Sequence, residues 1–94
     1  MSVDALTLEL ENVMALPESE IIRKGLFALI EKEIRFAENE IAEIRERYDL
    51  LTKEKLLHAI QNSLVVEHPA WEDYIVWKNK EAHIARLRLA ADHA

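Results

Sequence analysis

Residues 30–51 read IEKEIRFAENEIAEIRERYDLL. Ile30, Ile34, Ala37, Ile41, Ile44, Tyr48 and Leu51 recur at alternating spacings of four and three. That is the heptad pattern of a helix with one narrow apolar stripe, and such a seam is built to lie against another helix. Most of the residues between are charged. The expected dimer or hairpin seam is Ile30, Ile34, Ala37, Ile41, Ile44 and Tyr48, used within the chain, between copies, or both.

Working outward, helix formers run without a break from Pro17 to Tyr48. Pro17 suits the first turn of a helix and Ser19 offers an N-cap, so the sequence predicts a long helix over about 18–48. Gly25 is its weak point, either a local cost of about 1 kcal/mol or a place where another helix comes close. Asp49 to Thr52 forms a break, and Thr52 can cap a short helix over about 53–63 with Leu56, Leu57, Ile60 and Leu64 giving its apolar face. Pro69, with Glu72 and Asp73 behind it, opens a C-terminal helix over about 70–91. On the N-terminal side, Leu6, Leu8 and Leu10 alternate with Thr7, Glu9 and Glu11. The period of two favours a short strand over about 5–10, paired with its copy across a two-fold axis. Val3, Leu6, Leu10 and Val13 at helical spacing are the alternative.

The expected fold class is mainly α. The long and C-terminal helices form an antiparallel helical hairpin within a homodimeric helical bundle, and residues 1–94 make a single small helical domain. One Gly and two Pro in 94 residues leave little turn chemistry for a sheet protein. A few long helices bury little in one chain, so an oligomer is expected to complete the core. Charge sets the orientation. Glu31, Glu33, Glu38 and Glu40 precede Arg45 and Arg47, while Glu67, Glu72 and Asp73 precede Lys78, Lys80, Arg86 and Arg88. Folded back, the acidic start of the last helix meets Arg45 and Arg47, and its basic body meets the glutamates. Each exposed pair contributes only about 0–1 kcal/mol, enough to choose a direction while apolar burial supplies stability.

A net charge of −6 opposes non-specific binding to nucleic acid and to anionic membranes. Without cysteine there is no disulfide, thiolate zinc site or thiol nucleophile. No uncharged apolar run approaches the ~18 residues of a membrane span, and no basic-then-apolar leader is evident, so a cytoplasmic protein is expected. His58, His68, His83 and His93 are scattered, none with a second histidine three or four residues away. Glu40–Glu43 and Glu46–Asp49 imitate the acidic pairs of helical Mg²⁺-dependent nucleotide pyrophosphohydrolases, but both lie on one helix, where their carboxylates cannot converge from opposing elements. No catalytic residue, cofactor or metal is therefore expected, and the pyrophosphohydrolase remains the alternative. Trp71, Tyr74 and Trp77 stand at i, i+3 and i+6 on one broad side of the last helix. They suit core packing, and they suit an interface, where tryptophan and tyrosine dominate binding energy. With Ile84 they form the candidate partner interface.

Three stretches resemble small prokaryotic antitoxin-like proteins of the ribbon-helix-helix type. Leu6-Thr7-Leu8-Glu9-Leu10 with Ile22-Arg23-Lys24-Gly25-Leu26 is similar to their strand and second helix. Glu43 to Asp49 is similar to the charged end of a long helix. Glu67-His68-Pro69-Ala70-Trp71-Glu72-Asp73-Tyr74 is similar to their acidic-aromatic C-terminal segment. The resemblance implies a homodimer whose N-terminal ribbon binds operator DNA and whose C-terminal region wraps a protein toxin. The residues depart from it in two places. Too little chain lies between Leu10 and Pro17 for a first helix, and a ribbon facing DNA with Ala5, Thr7 and Glu9 lacks base-reading side chains. Neutralising a basic partner is the part an acidic chain suits. A purely structural homo-oligomeric subunit is the third reading.

Overall fold

A computed structural model describes residues 2–93. Four helices follow one another: α1 (Val3–Met14), α2 (Glu18–Tyr48), α3 (Lys53–Gln61) and α4 (Glu67–Asp92). The protein is mainly α, with no strand among the described residues.

The strand expected over 5–10 is a helix. Ser2 caps it, its hydroxyl accepting from the Ala5 amide at 3.2 Å, and Asp4 complements the first-turn dipole. The alternation of Leu6, Leu8 and Leu10 is real but incidental. Val3, Leu6, Leu10, Val13 and Met14 fall on one side of a 3.6-residue helix, and leucine and glutamate favour that state. Ala15 ends α1 in the left-handed region (φ 53°). Ser19 is not a cap either. The Pro17 carbonyl accepts from the amides of Glu20 and Ile21, so α2 starts at Glu18, two residues before the start a Ser19 cap would give.

Later boundaries follow local chemistry. Asp49 (φ 54°) ends α2, and Thr52 caps α3 by accepting from the Lys55 amide at 3.2 Å. Helix α3 stops at Gln61, two residues before the expected end. Asn62 turns its side chain back to the His58 carbonyl at 2.8 Å, and Ser63 takes a left-handed conformation (φ 55°). His68 is extended (φ −108°, ψ 121°), as the residue before a proline prefers, so regular α4 begins at Pro69.

The chain divides within α2 into two compact units, one reaching Lys32 and one starting at Glu33. In the first, α1 and the opening turns of α2 contain no buried residue. The second has a closed core. Ala37, Ile41 and Ile44 of α2, Leu56 of α3, and Ala70, Trp77 and Ile84 of α4 form its centre. Ile34, Tyr48, Leu50, Ile60, Val65 and Tyr74 pack around it. On α4 the three core residues are spaced by seven, a single heptad position, so one face of the helix does all the burying.

Candidate functional site

The heptad residues are mostly consumed inside the second unit. Ala37, Ile41 and Ile44 are buried there, and Ile34 and Tyr48 are half-buried against them. Ile30 is half-buried in the first unit. Leu51 leaves the stripe, because the turn at Asp49 ends the helix before it, and it is exposed.

The expected partner interface separates into an inside and an outside. Trp77 and Ile84 are core side chains, fully and almost fully buried, and present nothing to a partner. At about 100° per residue Trp77 sits roughly 120° around the helix from Trp71, and Ile84 follows Trp77 by a full heptad. Trp71 therefore faces outward, 46% exposed, and stacks on half-buried Tyr74 with ring centroids 5.5 Å apart. Ile75 and Val76, next on the helix, are also exposed.

Ion pairs tie α4 to α2 and α3 along its length. The Tyr48 hydroxyl donates to the Asp73 carboxylate, which also pairs with Arg47 at 2.8 Å. Burial first, and the Asp73 hydrogen bond second, push the Tyr48 phenol up to about 12. Its bond to Asp73 raises Arg47 above its ordinary value. Lys53 reaches Glu81 at 2.8 Å and Glu54 at 2.9 Å, and these bonds raise the ammonium and lower the Glu54 carboxyl. Further along, Lys80 pairs with Glu40 at 3.3 Å and Arg88 with Glu38 at 3.1 Å. From Asp73 to Lys80 to Arg88 the partners descend from Arg47 to Glu40 to Glu38. The Arg45 guanidinium lies 5.6 Å from the Trp77 ring centre, a cation–π contact over the buried indole. The indole nitrogen of Trp77 is itself buried without a hydrogen-bond acceptor.

The acidic pairs suggested for Mg²⁺ do not converge. Glu40 is committed to Lys80, and no group of three or more metal-ligating side chains occurs among the described residues. A groove of about 650 Å³ is lined by Glu38, Arg45, Glu81 and Arg88 over Ile41 and Ile84, with charges of both signs. No helix among the described residues is long and apolar enough to cross a membrane.

The sequence reading missed one feature. Ile22, Leu26 and Leu29, at spacings of four and three, form a second apolar stripe ahead of the seam, and all three are exposed. Their heptad spacing was the available signal.

Fold and surface thus define a small, mainly helical protein with one closed three-helix core and an outward Trp71 stacked on Tyr74. The chain belongs to the Uncharacterized protein MJ0235 family, whose model matches residues 1–90. No curated protein and no solved structure matches the chain.

Proposed function

We propose that this chain is a protein–protein interaction module of antitoxin-like action, which binds and neutralises a protein partner in the cytoplasm. The second unit acts as an antiparallel helical hairpin braced by α3, within a homodimeric helical bundle. The stacked Trp71–Tyr74 pair is the observation that carries this reading. A large aromatic ring left half-exposed on an otherwise well-packed core, with exposed Ile75 one turn further along the same face, has the composition of a binding hot spot. The net charge of −6 suits a basic partner. Operator DNA is left out, because the segment that was to form the DNA-reading ribbon is helical.

The test is co-purification from the protein's own cells. A basic protein recovered in fixed ratio with the wild type, and lost with Trp71→Ala at unchanged helicity, supports the reading. Such a partner should arrest growth when expressed alone and be silenced by co-expression of this chain. Recovery of the chain by itself would overturn it in favour of a structural homo-oligomeric subunit. That second reading draws on the exposed apolar side chains of residues 3–29.

A further inference from the structure

The unit ending at Lys32 has two helical segments and no interior. None of its described residues is buried. On α1, Val3, Leu6, Val13 and Met14 lie on one stripe and keep 80%, 48%, 82% and 47% of their surface exposed. On α2, Ile22, Leu26 and Leu29 keep 50%, 58% and 54%. A segment of fewer than about 40 residues holds a defined structure only with a disulfide, a metal or association. The chain has no cysteine, and no metal-ligating cluster occurs among the described residues. Association is what remains.

We propose that these two stripes are covered by the same unit of a second copy, so that α1 and the opening of α2 from two chains build one shared core around a two-fold axis. This deepens the dimeric part of the reading above, is independent of its partner-binding part, and moves the contact between copies away from the heptad seam. The area fits. Seven aliphatic side chains at these exposures present roughly 400 Å² of apolar surface, at about 100 Å² for each fully exposed side chain. A stable interface buries about 800 Å² per partner, of which roughly 450–520 Å² is apolar. The stripes supply most of that, and half-buried Leu10, within the α1 stripe, adds to it. Charge and shape favour self-pairing of α2 with its copy in the antiparallel sense. Centred on Gly25, that pairing sets Glu18 opposite Lys32 of the copy, with Glu31 beside it, twice over by symmetry, whereas a parallel pairing would set each charge against its like. Gly25 sits at the edge of the exposed stripe and midway along this pairing. A Cβ built there meets nothing within 4 Å in the single chain, which leaves room for a second helix to cross closely.

The experiment is the mass of the full chain by sedimentation equilibrium over a wide concentration range, with circular dichroism of each variant. The wild type should sediment as two chains. Leu26→Glu and, on the other helix, Leu6→Glu should each raise the dimer dissociation constant at least tenfold while the second unit stays folded. Leu89→Glu, exposed on α4, should leave the dimer unchanged. A wild type that stays a single chain at the highest concentration overturns the proposal. So does a dimer indifferent to both Leu6→Glu and Leu26→Glu, or one that Leu89→Glu breaks equally, since the contact then lies elsewhere. Trp71→Ala should not change the mass, so loss of a protein partner and loss of the dimer are read separately.

Discussion

The two units are made from similar sequence and end in opposite states. Both carry apolar residues at heptad spacing on charged helices. In the second unit the stripe of α2 finds Leu56 of α3 and Trp77 of α4 and disappears from solvent. In the first, Ile22, Leu26 and Leu29 continue the same style of patterning and stay half-exposed. What differs is the supply of partners within the chain. Helices α3 and α4 are spent on residues from Ile34 onward, and α1 has no residue buried against anything. An amphipathic pattern states that a face needs cover without stating where the cover comes from.

The contrast breaks most sharply at Trp77. Trp77→Ala should cost about 3–5 kcal/mol in urea unfolding, the usual range for a fully buried aromatic. The unpaired indole N–H, a burden of about 1–3 kcal/mol that the mutation removes, should bring the loss toward the lower end. An equal loss from Val13→Ala, an exposed residue of the first unit, would erase the distinction between the units.

Tyr48 gives the next effect. Tyr48→Phe removes the hydrogen bond to Asp73 and should cost about 1–2 kcal/mol at neutral pH. Folding raises the phenol from 10 to about 12 by keeping it neutral. Its contribution is therefore complete below pH 10 and disappears as the pH rises from 10 toward 12. The raised Lys53 ammonium loses its contribution in the same direction, at higher pH than an ordinary lysine begins to discharge. The wild type should lose stability more steeply than Tyr48→Phe across that interval, and parallel curves from the two proteins would contradict the assignment to Tyr48.

The smallest effect sharpens the comparison. In dilute solution Gly25→Ala should stabilise the helix by about 0.5–1 kcal/mol, since the methyl meets nothing in the single chain. At concentrations where two copies pair, the same methyl should weaken association if helices cross there. Thermal melts at low and high concentration give the sign in each regime.

Much of the fold was legible. An unbroken run of helix formers between Pro17 and the left-handed Asp49 leaves α2 little freedom in its limits, and Thr52 declares the start of α3. The N-terminal helix was harder, because leucines at 6, 8 and 10 satisfy a period of two and a period of 3.6 together. Only the Ser2 cap and the lack of a strand partner decide between them. In the candidate site the presence of aromatics was readable and their sorting was not. Grouping Trp71, Tyr74, Trp77 and Ile84 overlooked that a step of six or thirteen residues rotates a side chain to another face. The rule of seven linking Ala70, Trp77 and Ile84 would have placed the core on that face. What covers the two stripes of the first unit was not legible, since heptad spacing marks an apolar face without naming its partner.

The separation of the two tryptophans also gives the molecule a built-in optical gauge. Trp77 is fully buried and Trp71 is nearly half in water, and both belong to the second unit. Their fluorescence should therefore divide into a blue component closed to aqueous quenchers and a red component open to them. Unfolding of the core would be reported by the first, and arrival of a ligand at the surface by the second, in one emission spectrum and without any label.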